Sequence, residues 1–206
     1  KRIMTKAKTS FKTIKQGASD VLYKSKGSKF IGFSKNISSP EDALAFFDQL
    51  KNNHNGANHC CYAYKVGMDP SETRVNDDGE PSHSAGTPIL GQIQSFGLTN
   101  TAIAVIRYFG GTKLGVGGLI KAYKTTAQLT LEQSEFMTQH LHSQAELRFE
   151  YEQVGAVMQW IKTNQYNVEQ KHIDRKSRVI FQLPITDQEK ARLYWTAFQQ
   201  VDLSIH

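Results

Sequence analysis

An apolar run at residues 101–109 leads directly into a glycine-rich turn, and this pairing constrains the fold more than any other part of the chain. Ala, Val and Ile dominate the run, which is typical of a strand buried on both faces. Five glycines follow within residues 110–118, and residues 119–134 then have the apolar spacing of a helix. The sequence therefore predicts a central buried strand joined by a tight turn to a helix.

The segments before this strand predict further strands and two helices. Short β-rich runs at 11–18, 21–25 and 29–37 are separated by polar turns and favour antiparallel strands. Ser39 before Pro40 is typical of a helix start, with an N-cap followed by a first-turn proline. A strand is expected at 60–66, and a short helix is expected around 89–93.

The pattern changes near residue 136, and the rest of the chain alternates strands and helices in a second arrangement. The predicted order is strand 141–151, helix 153–164, strand 166–172, strand 178–185, helix 187–199 and strand 201–205. This βαββαβ order is typical of a ferredoxin-like domain, in which both helices cover one face of a four-stranded sheet. We therefore predict an α+β protein with two domains, residues 1–136 and 137–206.

Positive charge is concentrated at the start of the chain. The net charge is +6, and residues 1–35 contain ten Lys or Arg with a single acid, Asp20. Such a distribution favours a polyanionic partner for this end of the chain. A basic segment that is simply solvated explains the same composition, so charge alone leaves both interpretations open.

The two cysteines and the hydropathy pattern indicate the compartment. Cys60 and Cys61 are adjacent, which disfavours a disulfide between them, and a chain without disulfides is expected in the reducing cytoplasm. No run approaches the roughly 18 consecutive apolar residues of a membrane span, and the first residues lack the apolar centre of a secretory signal. We expect a cytoplasmic protein that does not bind a membrane.

The glycine-rich turn is the first candidate site. Glycines let main-chain N–H groups approach an anion, and a helix N-terminus adds partial positive charge. Tyr108 and Phe109 offer a stacking surface beside it. The candidate residues for binding an anion or nucleic acid are Arg107, Gly110, Gly111, Lys113, Gly117, Gly118, Lys121 and Lys124. Close helix packing and a left-handed turn are the alternative explanation of the glycines.

An acidic loop is the second candidate site. Asp77, Asp78 and Glu80 place three carboxylates within four residues, and His83 follows. Such a cluster suits a divalent cation or an acid catalyst. The favoured alternative is a turn in which Glu80, Ser82 and Ser84 cap the next helix. The spacing matches no specific metal motif, so we predict neither a metal site nor a cofactor.

Three motifs together resemble the IMPACT family in its bacterial YigZ branch. They are NHCCYAY at 58–64, DDGEPSHSAG at 77–86 and RYFGGTKLG at 107–115. The second motif contains the family loop residues Asp77, Asp78, Gly79, Glu80, His83, Ala85 and Gly86. The resemblance implies an N-terminal domain like domain 2 of ribosomal protein S5 and a C-terminal domain similar to domain V of translocation factor G.

The resemblance also implies a function, because the eukaryotic members regulate translation. We therefore predict a non-catalytic cytoplasmic module that associates with RNA or the ribosome, and the resemblance implies no catalytic residues. One alternative is a metal-dependent hydrolase or phosphate-ester enzyme that uses the acidic loop. The other is a protein-interaction module, with the open sheet face of the second domain as its surface. The sequence identifies no specific RNA, protein partner or oligomeric state.

Overall fold

The computed structural model describes residues 9–68 and 70–206, which form two compact units. The N-terminal unit is Phe11–Gln139, and the described residues of the C-terminal unit are 9–10 and 140–206. The division between the two units falls after Gln139.

The N-terminal unit contains a five-stranded antiparallel sheet. Its elements and those around it are β1 (Ser10–Gln16), β2 (Val21–Ser25), β3 (Ser28–Asn36), α1 (Pro40–Asn53), β4 (His59–Val66), β5 (Glu72–Asn76), α2 (Gly86–Ser95), β6 (Thr101–Tyr108), α3 (Val116–Glu132) and β7 (Glu135–His140). The strand order is β2-β3-β6-β4-β5, so β6 lies at the centre as the sequence predicts. β1 and β7 form a separate two-stranded sheet.

Helices cover both faces of the five-stranded sheet. Ile103 and Val105 of β6 pack in one core cluster with residues of α2 and α3. Ala102, Ala104 and Ile106 pack on the opposite face against α1. Both faces are buried, which explains why the β6 sequence is continuously apolar rather than alternating.

Helix boundaries follow local chemistry. The Ser39 hydroxyl accepts a hydrogen bond from the Asp42 N–H at 3.2 Å, which confirms the predicted cap of α1. α3 begins at Val116, three residues before the predicted start at residue 119. Gly117 and Gly118 therefore belong to its first turn. None of the helices in the described residues is both long enough and apolar enough to cross a membrane.

The C-terminal unit has the predicted order of elements, which confirms the α+β class. They are β8 (His142–Glu150), α4 (Val154–Thr163), β9 (Asn167–His172), β10 (Lys176–Pro184), α5 (Gln188–Thr196) and β11 (Val201–Ile205). The antiparallel sheet order is β11-β8-β10-β9. Trp160 of α4 and Trp195 of α5 have ring centroids 5.2 Å apart and share one core with the inward-facing strand residues.

Packing of α3 on β3 requires a glycine in the strand. A Cβ at Gly32 would lie 1.9 Å from the Thr130 hydroxyl oxygen. We predict that Gly32→Ala destabilises the N-terminal unit by about 1–3 kcal/mol, the usual cost of overpacking. Native-state hydrogen exchange at the β6 amides measures this loss.

Gly91→Ala is the matched control for that substitution. Gly91 lies inside α2, where a Cβ meets nothing within 4 Å. Alanine should therefore stabilise the unit by about 0.5–1 kcal/mol through its higher helix propensity. Equal effects of the two substitutions would contradict the close packing of α3 on β3.

Candidate functional site

A buried ion pair joins the acidic loop to the end of the central strand. The Glu80 and Arg107 side chains are only 4% and 6% exposed, and Arg107 Nη1 lies 2.6 Å from Glu80 Oε1. The Tyr123 hydroxyl of α3 donates to the same oxygen at 2.7 Å. A buried carboxylate needs such partners to remain ionised. The pair therefore ties the loop, β6 and α3 together.

Cys61 continues this network towards the acidic loop. Its thiol lies 3.0 Å from the Asp77 carbonyl oxygen and 3.3 Å from the Tyr123 hydroxyl. Burial raises the pKa of Cys61 and of Tyr123 far above their usual ranges, and it raises the pKa of Cys60 to about 11. Both thiols are therefore protonated at neutral pH and are poor nucleophiles.

Asp77 caps α2. Its carboxylate accepts the N–H groups of Gly86 at 2.8 Å, Ala85 at 3.0 Å and His83 at 2.8 Å. Burial raises the pKa of Asp77, but these three backbone hydrogen bonds outweigh burial, so the pKa is lower than usual. The predicted turn and cap exist, but Asp77 supplies the cap. The prediction that Glu80 caps the helix is wrong, because Glu80 pairs with Arg107.

The three carboxylates of the loop turn to different partners. Asp78 accepts the Cys60 N–H at 2.7 Å and contacts Lys51 Nζ at 3.0 Å. Its own carbonyl oxygen lies 2.8 Å from His59 Nδ1. Across residues 9–68 and 70–206, no group of three or more His, Cys, Asp or Glu side chains is placed to hold a metal ion. The loop carboxylates therefore contact separate sets of protein groups.

The predicted glycines have three different roles. Gly110 donates its N–H to the Ser28 hydroxyl at 3.1 Å, and a Cβ there would lie 1.9 Å from the Gly27 carbonyl carbon. Gly111 adopts a φ of 84°, in the left-handed region that favours glycine. Gly117 and Gly118 belong to the first turn of α3, where their N–H groups have no hydrogen-bond partner among the described residues. Amides without a partner in the described residues therefore occur at the helix start, whereas the amide of Gly110 donates to Ser28.

The lysines of the predicted site are exposed to solvent, whereas Arg107 is buried. Lys113, Lys121 and Lys124 are exposed, and no carboxylate of the described chain lies within 4 Å of them. Arg107 is buried and its charge is neutralised by Glu80. The prediction that Arg107 presents its charge to a bound anion is therefore corrected, since a guanidinium in an internal ion pair cannot reach a solvent-side phosphate.

A second group of lysines lies on the β2–β3 hairpin beside the glycine turn. The Gly27 backbone is packed directly against Gly110, so the hairpin turn adjoins the turn after β6. Lys24 and Lys29 are directly opposite each other on the paired strands, and both are exposed, as is Lys26. Like charges in this position repel. A bound anion would relieve that repulsion.

The sequence did not reveal Tyr123 and Ser28 as partners in this region. Ser28 contacts both the Gly110 N–H at 3.1 Å and Arg107 Nη2 at 3.5 Å. The available signal was an arginine inside a buried strand, because such a cation requires a buried acid. That signal indicates that a partner exists, but it does not identify which acid.

The fold and the paired motifs define a protein that carries an Impact N-terminal domain, whose family model matches residues 26–131. The IMPACT family member YvyE of Bacillus subtilis is 32% identical over 79% of this chain and 75% of its own length. The IMPACT family member YigZ of Escherichia coli is 34% identical over 64% of this chain and 66% of its own length. The chain belongs to the IMPACT family, as its motifs predict.

A solved structure supports the same architecture. A crystal structure described as that of a hypothetical protein has a TM-score of 0.72 and 26% sequence identity to this chain. The match covers 95% of this chain and 97% of the other. The sequence of elements in both units is therefore shared with a protein of nearly equal extent.

Neutralising Glu80 should destabilise the N-terminal unit. Glu80→Gln keeps the shape of the side chain but leaves the buried Arg107 charge uncompensated, which costs about 3–5 kcal/mol. Native-state hydrogen exchange at the β6 amides should show that loss. Glu135→Gln, which breaks the exposed Lys15–Glu135 pair at 3.3 Å, should have little effect. A small effect of Glu80→Gln would contradict the organising role of the buried pair.

Asp77 should make stability depend on pH in acid. Its pKa is lowered in the folded state, so its carboxylate stabilises the fold above the unfolded value of about 3.9, and this contribution is lost as the pH falls through the folded value. Asp77→Asn should therefore cost about 1 kcal/mol at pH 7. It should also flatten the acid slope in urea titrations. Asp48→Asn, on the exposed side of α1, is the control, and an unchanged acid slope in Asp77→Asn would contradict the assignment.

Proposed function

We propose that this protein is a non-catalytic module that binds RNA or a ribosomal component and acts in the regulation of translation. The observation that carries the proposal is the set of exposed lysines at the glycine turn, Lys113, Lys121 and Lys124, which have no carboxylate partner in the described chain. The translation assignment rests on the family resemblance, since the eukaryotic members regulate translation.

The start of α3 is suited to a phosphate. Its N-cap residue Gly115 has no side chain to satisfy the first N–H groups, and those groups carry the positive end of the helix dipole. Lys121 and Lys124 lie three residues apart on the exposed face of the same helix. Lys24, Lys26 and Lys29 of the adjoining hairpin extend the positive charge. Together they suit a polyanion that contacts several phosphates rather than one small anion.

The geometry of the acidic loop supports a non-catalytic role. Asp77 is committed to backbone N–H groups, Asp78 to Lys51 and the Cys60 N–H, and Glu80 to Arg107 and Tyr123. A general acid or base needs an oxygen directed at the substrate, and a metal ligand needs an oxygen directed at the metal ion. These carboxylates instead hold the loop in position.

We also propose specific fold assignments for the two units. The C-terminal unit has βαββαβ order with its strands arranged fourth, first, third, second, which supports a ferredoxin-like domain similar to domain V of translocation factor G. For the N-terminal unit we propose the fold of domain 2 of ribosomal protein S5. Both folds recur in ribosome-associated proteins, which supports a ribosomal partner.

A protein partner at the same surface is the second candidate function. Phe109, Val116 and Ile120 are exposed and belong to the same segment as the lysines, residues 109–124. Exposed apolar side chains are a common feature of interaction sites. Nuclease treatment of complexes isolated from cells separates the two candidates. A partner that stays bound after the RNA is digested supports protein docking.

Charge reversal on α3 tests the RNA proposal. We predict that Lys121→Glu with Lys124→Glu weakens RNA binding and flattens its salt dependence. The logarithmic slope is about −0.7 for each phosphate contact on a single strand, so the loss of two contacts should reduce it by about 1.4. Filter binding across a series of salt concentrations measures both quantities.

The matched control changes the same charge elsewhere. Lys162→Glu with Lys171→Glu alters two exposed lysines of the C-terminal unit and should leave the slope unchanged. Equal weakening by both pairs would indicate a nonspecific effect of net charge. No binding of the unaltered protein to RNA or ribosomes at about 50 mM salt would overturn the proposed function.

A further inference from the structure

Phe109 is an exposed aromatic residue at a rigid position. It follows the last residue of β6, and 46% of its surface is accessible to solvent. Its N–H donates to the Asn58 side-chain oxygen at 2.7 Å, and the next N–H, that of Gly110, donates to Ser28. The backbone on both sides of the ring is therefore held by hydrogen bonds from neighbouring segments.

The ring of Phe109 is supported from within the protein. The Arg107 guanidinium carbon lies 5.6 Å from the ring centroid, within the range of a cation–π contact. That guanidinium is itself fixed by Glu80 at 2.6 Å and lies 5.4 Å from the Phe30 ring centroid. A ring supported in this way loses little conformational freedom when a ligand stacks on it.

The surroundings of Phe109 select the kind of ligand. Lys113 is exposed four residues further on, and the turn that contains Lys26 adjoins Gly110. An exposed ring among lysines is the combination that proteins use for single-stranded nucleic acids, because the ring stacks on a base while the cations contact the backbone. A duplex has its bases stacked on one another, so its interior offers no free base to a protein ring.

We propose that Phe109 stacks on an unpaired base of single-stranded RNA. This inference deepens the proposed function and rests on it, since it names the class of RNA that the lysine surface recognises. The buried Glu80–Arg107 pair then has a second consequence, because it holds the guanidinium that supports the stacking ring.

The test compares substitutions at Phe109 in the full-length protein. Phe109→Leu should weaken binding to an unstructured RNA oligonucleotide by at least about fivefold, from the usual contribution of one stacked base. Phe109→Trp should retain binding, and the fluorescence of the introduced indole should be quenched by the RNA. The native Trp160 and Trp195 are buried, so they contribute little to this quenching. Tyr151→Leu, at an exposed tyrosine of the C-terminal unit, should leave the affinity unchanged.

Two further ligands complete the design, namely the same oligonucleotide annealed to its complement and a DNA strand of the same sequence. Weaker binding to the annealed duplex supports stacking on an unpaired base, and weaker binding to the DNA strand supports RNA as the ligand. Unchanged single-strand affinity in Phe109→Leu, or duplex binding as tight as single-strand binding, overturns the stacking inference and leaves the proposed function intact. Equal or tighter binding of the DNA strand overturns the assignment to RNA. Failure of the unaltered protein to bind any of these ligands or ribosomes overturns the proposed function itself.

Discussion

The buried pair between Glu80 and Arg107 is the interaction on which the N-terminal unit depends. It connects a loop to the centre of the sheet across 27 residues of sequence, and the Tyr123 hydroxyl adds α3 to the same carboxylate. Desolvating two charges is costly, so each requires the other. The motifs at 77–86 and 107–115 are therefore joined by this ion pair. The pair holds the start of the turn that follows β6.

The cations of this region have two different roles, because one supports the fold and the others are exposed to a ligand. Arg107 is neutralised inside the protein, whereas Lys113, Lys121 and Lys124 remain exposed around the start of α3. Gly110 likewise serves packing against Gly27, while the amides of Gly117 and Gly118 lie at the helix start. The proposed polyanion binding therefore depends on these lysines, whereas the carboxylates of the acidic loop have partners within the protein.

Sequence patterns predicted the elements that have strong local signals. The continuous apolar run of β6, the Ser39 cap of α1 and the βαββαβ order of the second unit are all present. β5 was missed because four of its five residues are polar and its one apolar residue, Val75, is exposed, so the segment lacks the alternation of a half-buried strand. The Glu80–Arg107 pair was missed because it is a long-range contact, and neither residue's neighbours in sequence identify its partner. The cap of α2 comes from Asp77, nine residues before Gly86, a separation beyond local capping patterns.

Hydrogen–deuterium exchange of the full-length protein, with and without single-stranded RNA, tests most directly whether the turn after β6 is the binding surface. RNA bound at this turn should slow exchange at residues 109–118, which include the unpartnered amides of Gly117 and Gly118 in the first turn of α3. Exchange in β6, which is already protected within the sheet, should not change. Slowed exchange confined to the C-terminal unit, or no change at the turn under conditions in which RNA is bound, would contradict RNA binding at the turn after β6.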